Sequence, residues 1–205
     1  MNADGDSIAP LREFVVSMTR LVDTPHDEAT IIRETSTLLK KLISTDDWLP
    51  EFCTRPHPKY YQQYLLHADP LERFSVVSFV WGPENKTPVH DHGIWGVIGM
   101  LRGGERSQSY SRAVDGKLTP MGDPVILTQG NIETVSPTIG DIHQVENARP
   151  EPSISINVYG ANIGAVARHS YDLETGAMKS FVSGYSSDQV PNLWDRSEAV
   201  RGQSI

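Results

Sequence analysis

The sequence predicts a mainly β protein, a barrel or sandwich, that follows an N-terminal helical segment. Up to about residue 70, apolar residues recur at the i, i+3, i+4 spacing of amphipathic helices. From about Arg73 the chain changes to short apolar runs, each bounded by Gly, Pro, Asn or Asp, with no helical period between them. Many short strands in close succession are typical of all-β barrels and sandwiches.

The helical segment contains two predicted helices. They lie in "PLREFVVSMTRLVDT" and "DEATIIRETSTLLKKLIST". In the second, Asp27 and Glu28 stand near the start and Lys40 and Lys41 near the end, which is the charge order that the helix dipole favours. The following "KYYQQYLLH" is compatible with a last short helix or with an extended entry into the β region.

The strand candidates are rich in β-branched and aromatic residues. In chain order they are "RFSVVSFVWG", "WGVIGMLRG", "RSQSYSR", "PVILTQG", "IETVS", "HQVEN" and "SISINVYG". We therefore divide the chain into a helical segment that packs on the barrel (1–70), the barrel (71–165) and a C-terminal extension (166–205), all within a single domain.

Composition and charge exclude several classes of protein. A length of 205 residues is enough to bury a core, and a net charge of -8 argues against a nucleic-acid-binding surface. No apolar run reaches the length of a membrane span, and "MNADGDSIAP" is unlike a signal peptide. The single cysteine, Cys53, cannot form an internal disulfide and reads as a small apolar filler. We expect a cytoplasmic protein with no nucleic-acid or membrane partner.

The stretch "TPVHDHGIWG" places two histidines one residue apart. On a strand, His90 and His92 point to one face while Asp91 points to the other. Two imidazoles on one face can bind a metal, although an isolated pair of this kind can also be incidental.

A third histidine, His143, lies in "SPTIGDIHQVEN", which reads as a turn followed by an inward-facing strand residue. Together with the glycine-x(7)-His-x-His pattern that ends at His92, this segment resembles the two motifs of the cupin superfamily. The resemblance implies a double-stranded β-helix, or jelly-roll, barrel that holds a metal on His90, His92 and His143. The glutamate ligand usual in cupins is absent, because Gly96 and Val97 occupy its positions.

Three neutral imidazoles leave a divalent metal its full charge, which attracts an anionic ligand such as a thiolate. A site with three protein ligands also keeps positions open for substrate, as catalytic sites do. Nitrogen ligands suit iron, zinc, nickel or copper, and affinity alone does not select among them.

Much of the chain is similar to the bacterial thiol dioxygenases of the cysteine dioxygenase family, and within them to the 3-mercaptopropionate dioxygenases. The similarity lies in "RFSVVSFVWGP…TPVHDHGIWGVIGMLRG", "VSPTIGDIHQVEN" and "SINVYGANIGAVARHSYD…KSFVSGYS…PNLWDRS". It implies a non-haem Fe(II) enzyme that inserts both atoms of O2 into the sulfur of a small thiol. The iron ligands would be His90, His92 and His143.

The strand "SISINVYG" alternates, so that Ser155, Asn157 and Tyr159 share one face. In the family this strand carries Ser-x-His-x-Tyr, a hydrogen-bonded relay beside the iron. The resemblance therefore implies catalytic roles for Tyr159 and Ser155, with Asn157 in place of the histidine. Asparagine is shorter than histidine and cannot titrate near neutral pH. Alternatively, this face of the strand is polar simply because it points outward to solvent.

A mercapto acid also needs a donor for its carboxylate. Some relatives have an arginine before the first barrel strand. In this chain the corresponding segment is "YYQQYLL", and Gln63 or, less well, Gln62 aligns with that arginine. A neutral glutamine binds a carboxylate less strongly than a guanidinium does. This difference favours the mercaptopropionate type, in which Tyr159 and Arg168 help to hold the carboxylate. Arg168 is equally compatible with a surface charge.

The predicted function is oxidation of a small mercapto acid, with 3-mercaptopropionate preferred, to its sulfinate by an iron-dependent dioxygenase. Cysteine or cysteamine dioxygenation is the nearest alternative. A non-catalytic, metal-dependent binding protein and a metal-dependent isomerase or hydrolase on the same barrel also remain open. The oligomeric state is not predicted.

Overall fold

The computed structural model describes residues 8–187 and 200–202. Two helices come first, α1 (Ala9–Val22) and α2 (Glu28–Leu42). The side chain of Asp27 caps α2 by accepting a hydrogen bond from the backbone N–H of Thr30 at 2.8 Å. Within the described ranges, neither helix combines the length and the apolar character that crossing a membrane requires.

A strand lies in each segment that the sequence predicts, and further strands lie before, between and after these. They are β1 (Gln62–Ala68), β2 (Ser75–Trp81), β3 (Val89–His90), β4 (Gly96–Arg102), β5 (Gly104–Arg112), β6 (Leu118–Pro120), β7 (Val125–Thr128), β8 (Ile132–Val135), β9 (His143–Asn147), β10 (Ser153–Tyr159), β11 (Arg168–Tyr171) and β12 (Met178–Phe181).

Two antiparallel sheets form the barrel. One has five strands in the order β1-β2-β10-β4-β8, and the other has seven, β12-β11-β3-β9-β5-β6 with β7 also paired to β5. These two curled sheets, with strands that are neighbours in space but distant in sequence, form a double-stranded β-helix. The mainly β fold class predicted from the sequence is therefore confirmed.

The main core lies between the helices and the outer face of the five-stranded sheet. Strand β10 runs at the centre of this sheet, between β2 and β4. Its residues Ile154, Ile156 and Val158 are buried against the helical layer, in the same cluster as Phe14 and Leu39. Because side chains alternate along a strand, the opposite face of β10 points into the barrel.

The sheets extend beyond the range 71–165 that the sequence predicted for the barrel. Strand β1 pairs with β2, so "KYYQQYLLH" is the extended entry segment and not a helix. On the other side, β11 pairs with both β3 and β12, which makes part of the predicted C-terminal extension a wall of the barrel. The boundaries at 70 and 166 therefore cut through the sheets, whereas the segment "PNLWDRS" lies outside the described residues.

Cys53 belongs to a short 3-10 helix, Glu51–Thr54, and is 2% exposed. Burial raises the pKa of its thiol to about 12, so the thiol stays protonated and unreactive at neutral pH. The filler role predicted for Cys53 agrees with this placement.

Candidate metal centre and its cavity

The three predicted metal-binding histidines converge inside the barrel. His90 lies on β3 and pairs in register with His143 at the start of β9, while His92 follows β3 after one residue. The ring centroids are 4.8 to 4.9 Å apart in every pair. One nitrogen from each ring lies within 4.8 Å of the other two. His90, His92 and His143 are thus placed to hold one metal ion between them.

Two of the histidines have their Nδ1 atoms fixed by pure acceptors. The Nδ1 of His90 lies 3.1 Å from the carbonyl oxygen of Pro88, and the Nδ1 of His92 lies 3.0 Å from Oδ1 of Asp141. Because a carbonyl and a carboxylate can only accept, each Nδ1 carries the proton. The Nε2 lone pairs are consequently free for a metal, which is the usual arrangement of metal-binding histidines.

The Nδ1 of His143 contacts a hydroxyl instead. It lies 3.3 Å from Oγ of Ser107, a residue of β5 that is 1% exposed. A hydroxyl can donate or accept, so this contact alone does not decide which ring nitrogen holds the proton.

Burial keeps two of these imidazoles, His90 and His143, neutral. The pKa of His90 and the pKa of His143 are both well below the ordinary histidine value, first because of burial and then because of the neighbouring rings. A histidine must be neutral to bind a metal. Three buried imidazoles with open space beside them therefore fit a divalent transition metal such as iron.

The absence of a carboxylate ligand has a structural cause. A Cβ at Gly96 would lie 2.9 Å from ring atoms of Tyr159, so any side chain there would displace that tyrosine. Val97 is fully buried in the core beneath the helices and faces away from the barrel interior. Neither position can supply the glutamate ligand of the cupin motif.

Tyr159 and Asn157 line the cavity beside the histidines. The ring of Tyr159 stacks on His92 with centroids 5.6 Å apart and planes inclined by 20°. The Nδ2 of Asn157 donates a hydrogen bond to Oη of Tyr159 at 3.1 Å. The interpretation of this strand face as an outward polar surface is thus wrong. Ser155 shares the face and is fully buried, but it is not among the residues that line the cavity.

Arg168 is buried and lines the same cavity, so it is not a surface charge. Its Nη2 donates to Oγ of Ser183 at 2.6 Å, and its guanidinium lies over the ring of Phe181 at 4.8 Å. Its Nε is buried with no hydrogen-bond partner among the described residues. Burial lowers the pKa of Arg168, but a guanidinium remains charged at neutral pH.

Of the two glutamines considered for substrate binding, only Gln63 lines the cavity. Gln62 is one residue earlier on β1 and its Nε2 donates to the backbone carbonyls of Tyr60 and Tyr61. The substrate-binding prediction for Gln62 is therefore wrong, because strand alternation turns the side chain away from the barrel interior.

Asp91 points away from the metal centre, as its position between two histidines predicts. Its carboxylate accepts from the backbone N–H of His169 at 2.7 Å and from Oη of Tyr171 at 2.6 Å. These hydrogen bonds attach the segment that carries His90 and His92 to β11.

The cavity has a volume of about 250 Å³ and contains two carboxyl groups that sequence reasoning missed, Glu105 and Glu133. Burial raises the pKa of Glu105 to about 7 and also raises the pKa of Glu133. Nothing in the polar run "GERSQSYSR" indicates that Glu105 and Ser107 point inward. Asp141 was also missed, although its position two residues before His143 in "GDIH" was a usable signal.

Comparisons with known proteins give similarities of modest extent, and no family model matches the sequence. An uncharacterised protein with a double-stranded β-helix domain from Klebsiella pneumoniae is 20% identical, covers 56% of this chain and 89% of its own, and has a TM-score of 0.44. A Cupin 2 conserved barrel domain protein from Salinispora arenicola is 18% identical over 56% of this chain and 86% of its own, with a TM-score of 0.41.

An oxalate decarboxylase from Lactobacillus farciminis, in a formate complex, is 16% identical over 54% of this chain and 32% of its own, with a TM-score of 0.42. The function of this chain therefore has to be argued from its own residues.

Proposed function

We propose that this protein is a non-haem Fe(II) thiol dioxygenase that oxidises a small mercapto acid to its sulfinate, with 3-mercaptopropionate as the favoured substrate. One observation carries the proposal: three buried histidines form a cluster of possible metal ligands that includes no carboxylate of the described residues, and they line the same cavity as an arginine. A metal held by neutral ligands attracts a thiolate, and a buried guanidinium attracts a carboxylate. A mercapto acid supplies both groups.

The protein would hold the substrate by its carboxylate. The guanidinium of Arg168 lines the cavity and would be the donor for that group, and Gln63 lines the cavity with it. The stacking of Arg168 on Phe181 and its bond to Ser183 fix the guanidinium before the substrate binds. Such preorganisation lowers the entropic cost of placing the thiol at the metal.

When bound to His90, His92 and His143, Fe(II) would supply the redox chemistry that joins dioxygen to sulfur. Both oxygen atoms end in the sulfinate, and the electrons that sulfur loses equal those that dioxygen gains. No further reductant is required, and the thiol proton passes to solvent.

Tyr159 would act as a hydrogen-bond donor to the bound reactants. Burial raises the pKa of its phenol, which therefore stays protonated. Because Asn157 already donates to Oη, the phenolic proton is free to point into the cavity. Asn157 cannot take up or release a proton near neutral pH, so it orients Tyr159 without relaying a proton.

Cysteine is the second candidate substrate. It carries an ammonium group in addition to the thiol and carboxylate, and the carboxyl groups of Glu105 and Glu133 line the cavity. These acids would favour a cationic group, whereas cysteamine would leave Arg168 without a carboxylate to bind.

The proposal is tested by metal analysis combined with oxygen-electrode measurements on 3-mercaptopropionate, cysteine and cysteamine. We expect iron in the purified protein and fastest oxygen consumption with 3-mercaptopropionate. Tight thiol binding without oxygen consumption by the iron-loaded protein would support a non-catalytic binding protein. Zinc or manganese content together with inactivity toward all three thiols would support an isomerase or hydrolase.

A further inference from the structure

Asp91 connects the two parts of the cavity that the proposed substrate would contact. It directly precedes the metal-binding His92, and it is hydrogen-bonded to His169, which directly follows Arg168. His92 and Arg168 both line the cavity. The contact between Asp91 and His169 therefore joins the segment of the metal centre to the segment of the arginine.

The regular strand pairing stops just short of this contact. Strand β3 has only two residues, and its last pair with β11 is His90 with Ser170. In the same register, Asp91 and His169 would form the next pair. The residues of a hydrogen-bonded antiparallel pair exchange two backbone bonds. One of the two is present, because the backbone N–H of Asp91 donates to the carbonyl oxygen of His169 at 3.1 Å.

A side chain makes the second bond of this pair. The backbone N–H of His169 donates to Oδ1 of Asp91 at 2.7 Å, where a regular ladder would use the backbone carbonyl of Asp91. Because the carboxylate replaces the carbonyl, the main chain can turn away from β11 after Asp91. Gly93 has a φ of 68°, which belongs to such a turn, and the ring of His92 lies among the three histidines.

The other carboxylate oxygen of Asp91 is also held by β11. Oη of Tyr171 donates to Oδ2 at 2.6 Å, and Nδ1 of His169 lies 3.1 Å from the same oxygen. The side chain of Asp91 is only 14% exposed, so water competes little for these bonds. The carboxylate is therefore fixed on the strand that begins with Arg168.

We propose that Asp91 is a positioning residue that sets the distance between the metal and the guanidinium of Arg168, and with it the chain length of the mercapto acid that fits. This inference rests on the proposed function, in which the thiolate binds the metal and the carboxylate binds Arg168. A ligand held at two fixed points has one best length, because a shorter or longer chain misses one of them. Loosening the connection should weaken the preference for that length.

The test measures thiol binding without turnover. In the cobalt(II)-loaded protein under anaerobic conditions, a thiolate that binds the metal changes the visible absorption. Titration gives dissociation constants for 2-mercaptoacetate, 3-mercaptopropionate and 4-mercaptobutyrate, which differ only in chain length. We expect 3-mercaptopropionate to bind tightest to the unmodified protein. In Asp91→Ala the preference for it over the other two should fall about 10-fold, comparable to the loss of one hydrogen bond to a charged group.

Further variants separate positioning from general damage. Asp91→Asn keeps an oxygen that accepts from the backbone N–H of His169 and should retain most of the preference. Tyr171→Phe removes one bond to the carboxylate and should reduce the preference by a smaller factor, so it carries the test if Asp91→Ala does not fold. Asp115→Ala, at an exposed position beside Lys117, is the control and should match the unmodified protein.

Cobalt(II) affinity, measured by chelator competition, should stay within a few-fold in every variant, because the groups that hold the Nδ1 atoms of the histidines are retained. A loss of metal affinity that accounts for the weaker thiol binding would overturn the inference, since Asp91 would then support the metal site alone.

An unchanged chain-length preference in both Asp91→Ala and Tyr171→Phe would also overturn it. So would an equal weakening of all three acids, or equal binding of the three by the unmodified protein. Thiol binding with the expected preferences but without oxygen consumption by the iron-loaded protein would count against the proposed function and leave this inference in place. No thiol binding by the unmodified protein would remove both.

Discussion

The carboxylate of Asp141 holds His92 at both its ring and its backbone. Oδ1 lies 3.0 Å from Nδ1 and 3.1 Å from the backbone nitrogen of His92, and Oδ2 accepts from the backbone N–H of Gly93 at 2.8 Å. Burial alone would raise the pKa of Asp141, but these hydrogen bonds outweigh it and lower the pKa. The ionised carboxylate thus fixes the orientation of a metal-binding ring.

Asp141→Ala should weaken the binding of Fe(II). We expect the dissociation constant to rise about 10- to 100-fold, because the ring loses the partner that orients it. Chelator competition measures the change. Asp115→Ala, at an exposed hairpin position beside Lys117, is the control and should bind iron as the unmodified protein does. Unchanged affinity in Asp141→Ala would contradict the role assigned to this carboxylate.

Arg168→Met should weaken the binding of mercapto acids selectively. A hydrogen bond to a charged group contributes about 1.5–3 kcal/mol, so we expect KM for 3-mercaptopropionate to rise roughly 10- to 100-fold. KM for 2-mercaptoethanol, which has no carboxylate, should change much less. An equal rise for both thiols would mean that Arg168 supports the fold of the cavity and does not bind the carboxylate.

Asn157→His should restore a titratable group beside Tyr159. Iron content should stay the same, because residue 157 is not a proposed ligand. We expect kcat to rise roughly 10- to 100-fold and to acquire a dependence on pH near neutrality. Asn157→Gln, an amide that cannot titrate, is the matched control. A histidine variant with the rate and pH profile of the unmodified protein would remove a relay role for this position.

Glu105→Gln should stabilise the metal-free protein at alkaline pH. The pKa of Glu105 is raised from 4.5 to about 7 by burial, so ionising it in the folded state costs stability as pH rises through that interval. The gain on substitution should be near zero at pH 4.5 and about 3 kcal/mol, to order of magnitude, at pH 8. Urea unfolding at the two pH values measures it. The same gain at both would show that ionisation is not the cause.

The histidine triad could be predicted because the spacing of His90 and His92 indicates one shared face and the "GDIH" turn brings His143 inward. The residues that surround these rings could not be predicted from the sequence. Ser107 and Glu105 lie on a polar strand whose inner face is defined only when the barrel closes around it. The choice between Gln62 and Gln63 depended on strand register, in which a shift of one residue exchanges the two faces.

The C-terminal strands were missed for a similar reason. The residues of β11 and β12 are mostly polar, and their strand conformation comes from pairing with β3 and with each other. Hydrophobic periodicity does not detect strands that form through such pairing. As a result, the sequence alone does not predict where the substrate-binding candidate Arg168 lies. The structure places it at the start of β11, in the wall of the cavity.

The face of β4 that packs on the helices, on the side opposite the cavity, limits how this protein can be redesigned. A Cβ at Gly99 of β4 would lie 3.0 Å from side-chain atoms of Leu39 and Ile43, so the strand and the helical layer meet with no spare room. Strand β4 is the immediate neighbour of β10, which carries Tyr159. Enlarging the substrate chamber from this side would therefore require repacking of the helices at the same time, whereas changes on the seven-stranded sheet are free of that coupling.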